Sequence, residues 1–390
     1  MNQRKIQRNL PLMYAISFLQ SIVLYATIST LYRQARGLTL AEYAIIDGLA
    51  YIFQLVFEIP FGMLADRIGY KKTLIVSNGI YLLSRIIFWM AYGFTGFLME
   101  RLFFSMALAG LSGVDASILY LSCDKEDSQK IFSRNSAVSM AGMLTGSLIF
   151  TLFLSNHYEA AALGTVITYA VAFFLSFFVC DVKDTENKET VPSLQRLTQI
   201  LKITLKDRRF LLFILGEALI SYAVWAVRIL LSQQKFIELG LTSQHIGIVE
   251  TVLACLALSA VWSAALTRKL GFKKFMYHCV TAIVVSAVVL GITGNVWIAI
   301  AANTITELTY NWISPLVSDL YSKRVSVGDR ATQLSVYAML GELFSFGISL
   351  SISIIAAQSF SGAFLASAGM ALAGIVLFAY CYWGVADVNV

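Results

Sequence analysis

Gly62-Met63-Leu64-Ala65-Asp66-Arg67-Ile68-Gly69-Tyr70-Lys71-Lys72 is a short, charged, glycine-bounded stretch between two long apolar runs, 41–62 and 73–92. A hydrocarbon core of about 30 Å needs roughly 20 apolar residues as a helix, so each run is long enough to cross it. A link this short makes the two helices antiparallel neighbours. Arg67, Lys71 and Lys72 place the link on the cytoplasmic side, because loops rich in Lys and Arg resist translocation.

The same reading extends over the whole chain. Of 390 residues, 58% are hydrophobic and only 13% charged, whereas a soluble domain carries roughly a quarter charged residues. The composition is that of an integral membrane protein. Twelve runs qualify as spans: 11–33, 41–63, 73–94, 97–122, 133–155, 159–181, 210–232, 244–267, 275–293, 296–321, 332–356 and 361–384. With the N-terminus inside, 23 Lys and Arg fall in inner segments and three, Arg33, Arg36 and Lys235, in outer ones. That bias puts both termini in the cytoplasm. It also accounts for the net charge of +6 without a nucleic-acid partner, since the basic residues are spread over separate loops. The basic N-terminus leads into a run too long for a signal peptide and is read as a retained first helix. The five Cys and three His show no metal-ligand spacing, and no nucleophile–base cluster indicates an enzyme.

Residues 182–209 form the longest polar segment and divide the chain into an N-terminal bundle, 1–181, and a C-terminal bundle, 210–390. Within the divider, Leu194, Leu197, Ile200, Leu201, Ile203 and Leu205 recur at helical spacing, predicting a short amphipathic helix on the inner face. The halves look like copies. Gly69-Tyr70-Lys71-Lys72 recurs as Gly271-Phe272-Lys273-Lys274, and Leu119-Tyr120 as Leu320-Tyr321, at nearly one offset. The expected fold is all-α, with twelve transmembrane helices in two six-helix pseudo-repeat bundles.

The pattern G-x-L-A-D-R-x-G-x-K-K at 62–72 resembles the loop between the second and third helices of the major facilitator superfamily of transporters. The resemblance implies two parallel repeats with substrate bound between them, and alternating access. It implies that Gly62, Asp66, Arg67, Gly69, Lys71 and Lys72 form a gating motif whose charges lock one conformation and break in the other. Arg268 and Lys269 stand where Asp66 and Arg67 would recur, so only the first half carries the full motif. The stretch also resembles drug–proton antiporters of that superfamily, although the fifth run, at 139–146, has glycines and no Gly-Pro element.

Charges inside spans are costly unless paired or wet, so each is a functional candidate. Thr304, Glu307, Asn311 and Ser314 form one helical stripe in the tenth run, with Glu307 central. Glu307 is the leading candidate for a substrate or proton carboxylate; an interhelical hydrogen bond is the alternative. Glu217 and Arg228 lie eleven residues apart on one face of the seventh run, with Tyr222 and Trp225 between them as aromatic surface. Asp115 lies in the fourth run, Glu342 in the eleventh, and Arg85 in the third, with Asp47 its nearest carboxylate in estimated depth.

The sequence points to a secondary transporter, expected to couple efflux of amphipathic small molecules to protons. The alternatives are uptake of a sugar, peptide or organic anion, or a non-transporting membrane sensor. No cofactor beyond a proton gradient is expected. The expected setting is a lipid bilayer, the plasma (inner) membrane, with a small-molecule partner and a monomeric chain.

Overall fold

The computed structural model describes residues 8–122, 128–182, 194–324 and 330–383, and the side chain of Asp66 lies outside the described residues. Every regular element among the described residues is helical: α1 (Asn9–Ser21), α2 (Ser29–Ala35), α3 (Leu40–Ile68), α4 (Tyr70–Met90), α5 (Gly93–Leu111), α6 (Val114–Leu121), α7 (Ser128–Ile149), α8 (Tyr158–Ser176), α9 (Leu194–Lys206), α10 (Arg208–Trp225), α11 (Ser232–Glu238), α12 (Ser243–Ala257), α13 (Ser263–Leu270), α14 (Phe272–Ile292), α15 (Val296–Arg324), α16 (Arg330–Gln358) and α17 (Phe360–Trp383). Among the described residues, ten stretches are long and apolar enough to cross a membrane. The other two spans fall short for visible reasons. α12 and α13 are separated by a tightened 3-10 turn, Leu258–Trp262. α15 is diluted by Asn303, Thr304, Thr306, Glu307, Thr309 and Asn311.

The link that opened the sequence reading is tighter than a charged loop. α3 continues to Ile68 and α4 begins at Tyr70, so Gly69 alone makes the turn, at φ +86°. Gly271 repeats it at φ +78° between α13 and α14. Only glycine takes this conformation cheaply, and both repeats place one there. Arg67 therefore ends one helix, and Lys71 and Lys72 start the next. Gly62 is mid-helix, and nothing lies within 4 Å of where a Cβ would stand.

Two compact units emerge: Met1–Leu38 with Leu49–Val191 and Ser243–Thr251, and Thr39–Gly48 with Pro192–Thr242 and Val252–Val390. The core of the first gathers Met13, Ile16, Leu74, Ile118 and Val179. That of the second gathers Ile214, Val224, Val280, Ile283, Ile313 and Leu340. The amphipathic helix appears as α9, with Ile200 buried in the second core and Ile203 and Leu205 exposed. α10 and α17 cross where Gly216 and Gly374 meet; a Cβ on Gly216 would stand 2.9 Å from the Gly374 carbonyl oxygen. Backbones pack this closely in membranes where small residues face each other.

The first span is broken rather than continuous. α1 ends at Ser21, and the chain re-enters a helical path only at Ala26. Freed backbone groups in a membrane must be satisfied by neighbours. α8 supplies them: Thr165 Oγ1 accepts from Leu24 N–H at 3.0 Å, Thr168 donates to Ile22 O at 3.3 Å, and Tyr169 donates to Gln20 O at 2.6 Å. Gly146 of α7 lets the broken span approach, its missing Cβ position 3.4 Å from Ile22 Cα. Thr165→Val should leave the Leu24 amide buried and unpaired, at a cost of about 1–3 kcal/mol. Thermal unfolding in detergent should show the lowered midpoint, and Thr165→Ser should restore it.

Candidate functional site

Within the second unit the chain gathers its candidate charges on the α15-facing side of α10. Beyond Trp225, α10 widens into a π-helical turn, Ala226–Leu231, a distortion often found at functional sites. That turn presents Arg228, whose Nε pairs with Glu307 Oε2. Asn311, one turn along α15, donates from Nδ2 to Glu307 Oε1 at 2.7 Å and to Glu307 O at 3.0 Å. The Glu307 side chain is 5% exposed and that of Arg228 is 27% exposed, so the arginine is the more accessible member of the pair. A proton on Glu307 would remove the counter-charge of Arg228, and an anion on Arg228 could replace Glu307. Trp225 lies against Tyr222, ring centroids 5.2 Å apart, and against Tyr43 at 6.0 Å. Tyr222 is 2% exposed, hence a core residue and not the cavity surface anticipated.

The polar stripe of α15 splits between two places. Glu307 and Asn311 join Arg228, while Thr304 donates to its own helix at Ile300 O, 2.8 Å. Ser314 lines a separate cavity of about 120 Å³ with Glu217, Ser221, Tyr310 and Tyr321, to which Met276 and Phe378 add apolar lining. Glu217 there accepts from Ser221 Oγ at 2.5 Å. Glu217 and Arg228 thus both face α15, as their spacing predicts, but they meet different parts of it.

The first unit holds a charge cluster that sequence reading missed. Glu100, 1% exposed, lies between Arg33 at 3.7 Å and Arg85 at 3.6 Å. Arg85 also donates to Tyr25 Oη at 2.5 Å, just before the 3-10 turn that follows the break in the first span. Arg33 stacks on Phe88, 4.9 Å from the ring centroid, and Arg85 on Phe104 at 4.7 Å, Tyr81 at 4.9 Å and Tyr169 at 5.1 Å. The ion-pair partner of Arg85 is therefore Glu100, not Asp47, because α4 and α5 pack side by side. Arg33, Arg36 and Lys235, read as outer-loop charges, are all buried. Arg36 pairs with Glu159 at 2.9 Å, beside a cleft of about 710 Å³ lined by Tyr32, Trp89, Tyr92 and His157.

The remaining candidates are dispersed. Asp115 opens α6 just after Gly113, which turns the chain at φ +76°, and its buried Oδ1 finds no hydrogen-bond partner among the described residues. Asp47 is buried in α3 and Glu342 half-buried in α16, each with an interaction of its own. Of the gating motif, Arg67 and Lys72 are exposed and Lys71 is half-buried.

Comparison with known proteins adds an independent line. The family model described as Major Facilitator Superfamily matches residues 10–346. The inner membrane transport protein YajR of Escherichia coli (strain K12) is 23% identical over 354 residues, covering 86% of this chain and 74% of that protein. Among solved structures, the nucleoside transporter NupG superposes with a TM-score of 0.76 at 15% identity, over 97% of this chain and 99% of its own. A bacterial homologue of the human lysosomal transporter Spinster, inward-facing and unoccupied, gives a TM-score of 0.74 at 12% identity, over 98% and 96%. At such identities the superpositions speak to the twelve-helix fold alone.

Proposed function

The chain belongs to the major facilitator superfamily of membrane transporters, and we propose that it couples the movement of amphipathic small molecules to that of protons, as an exporter working by alternating access. The observation that carries the proposal is the Arg228–Glu307 pair with Asn311, set in the middle of a helix that spans the membrane. A carboxylate there can alternate between two neutralised states, paired with Arg228 or carrying a proton. Switching between them links proton loading to what Arg228 binds. Half-buried Trp225 nearby offers flat apolar surface to an amphipath, backed by the buried ring of Tyr43. The motif around Gly69 serves as the gate, with Asp66, Arg67, Lys71 and Lys72 forming charge pairs in one conformation and losing them in the other.

The partial exposure of Arg228 favours a second reading, transport of an organic anion together with a proton. Protonated Glu307 would leave Arg228 to the anion. In either reading the chain acts as a monomer in the plasma membrane with both termini in the cytoplasm. The concentration of Lys and Arg in the inner segments supports that orientation. The energy source is the proton gradient, with no further cofactor.

The test is transport into liposomes under an imposed pH gradient, with a lipophilic cation, a neutral amphipath and an organic anion as probes. Movement of the cation or neutral amphipath against the proton flux supports export. Movement of the anion with protons transfers the assignment to the second reading. Fluxes indifferent to the gradient for all probes would remove proton coupling altogether.

A further inference from the structure

We propose that Glu217 is a second proton-binding site, filled from water in its own cavity and separate from the Arg228–Glu307 pair. The inference deepens the proton-coupling reading, yet its test does not depend on it.

Size decides first what the cavity can hold. At about 120 Å³ it is well below the roughly 300–1,000 Å³ of pockets that take drug-sized ligands. It is large enough for about four waters at roughly 30 Å³ each. Its polar lining is hydroxyl-rich: Ser221 on α10, and Tyr310, Ser314 and Tyr321 on α15. That size and lining suit water and protons better than a drug-sized ligand.

Charge decides what Glu217 does there. Among the described residues that line the cavity there is no Lys, Arg or His, and α14 and α17 contribute Met276 and Phe378. The titratable groups facing Glu217 are the Tyr310 and Tyr321 hydroxyls. Of the other helices packed on α10, α16 carries Tyr337 and Glu342, α17 carries Tyr380 and Cys381, and α9 carries Lys202 and Lys206, two exposed lysines that do not line the cavity. Among the described residues, Ser221 Oγ donates to Glu217 Oε1. A carboxylate inside a membrane span without a cation is neutralised by a proton more readily than it is kept charged. Glu217 lies eleven residues before Arg228, about 16 Å along the helix at about 1.5 Å per residue. The two carboxylates therefore sit at different depths and can load independently.

Infrared difference spectra after a pH step, on the protein in lipid nanodiscs, read the proton directly. Wild type is expected to show the carbonyl stretch of a protonated carboxyl. Glu217→Gln should lose that contribution, Glu307→Gln should retain it, and Glu217→Asp should keep a shifted band. Ser221→Ala should also shift the band, because the neighbouring hydroxyl is gone, which serves if Glu217→Gln fails to fold. A band unchanged in both Glu217→Gln and Ser221→Ala overturns the proposal. Loss of gradient-driven transport in Glu307→Gln bears instead on the proposed function, so the two can fail separately.

Discussion

Glu307→Gln is expected to bring gradient-driven accumulation down to the leak of protein-free vesicles while exchange of substrate across the membrane continues. The substitution is close to isosteric. The amide oxygen of Gln can still accept from Asn311 Nδ2, now 2.7 Å from Glu307 Oε1, so the α15 side of the site is kept. What is lost is the only part of the pair that can take up a proton. A coupled carrier deprived of its proton site can still reorient with substrate bound, which is why exchange survives. Arg228→Gln should act differently, weakening binding of an anion far more than that of a neutral amphipath. The double variant should be more stable than the two single losses added together, by about 1–3 kcal/mol. That is less than the roughly 3–5 kcal/mol for breaking a fully buried pair, because the Arg228 side chain keeps 27% exposure. If Glu307→Gln accumulates substrate like wild type, Glu307 is a structural carboxylate and coupling must lie elsewhere.

Much of this architecture was legible because membranes impose a coarse code. Length and hydropathy marked the spans, and the repeated Gly69 and Gly271 marked the duplicated hairpin, whose shared positive φ the structure then displays. The pairing of Glu307 was half legible: its central position in a polar stripe singled it out. The widened turn that delivers Arg228 leaves no mark in a pattern of period 3.6, because it changes register without changing composition. Glu100 was missed because it stands one turn into its run, where a charge reads as an interface residue. Its partner Arg33 stood at the opposite end of another run and was assigned to a loop. Only packing reveals that the helices fold these ends inward. Asp47 matched Arg85 in estimated depth, yet Glu100 is the carboxylate beside it, for the related reason that depth is readable from sequence and azimuth is not. The break in the first span was hidden as well, since Ile22, Val23, Leu24 and Tyr25 are as apolar as a helix would have them. The groups that permit the break, Thr165, Thr168 and Tyr169, lie over a hundred residues away in sequence.

The largest loss of stability is expected from Glu100→Gln. The carboxylate balances two guanidinium groups, Arg33 at 3.7 Å and Arg85 at 3.6 Å, in a site where it is itself 1% exposed. Its removal leaves two buried cations facing each other. Breaking a buried ion pair from one side costs about 3–5 kcal/mol. The aromatic rings around Arg33 and Arg85 offset part of this, since a desolvated cation–π contact contributes about 2 kcal/mol. They are in place before and after the substitution, however, so they do not change the difference. Thermal unfolding in detergent should therefore show a large downward shift, or little folded protein at all. Arg33→Met should be milder, because Arg85 and Glu100 remain paired. The triple variant Arg33→Met, Glu100→Met, Arg85→Met should recover much of the loss, since apolar side chains of similar bulk can replace buried charges without an uncompensated ion. It should still lose the donor to Tyr25 Oη, 2.5 Å from Arg85 Nη1 in the native chain. Full stability in the triple variant with impaired transport would mean that the cluster holds the broken first span in place for function. A triple variant as unstable as Glu100→Gln would mean that the charges themselves hold the first unit together.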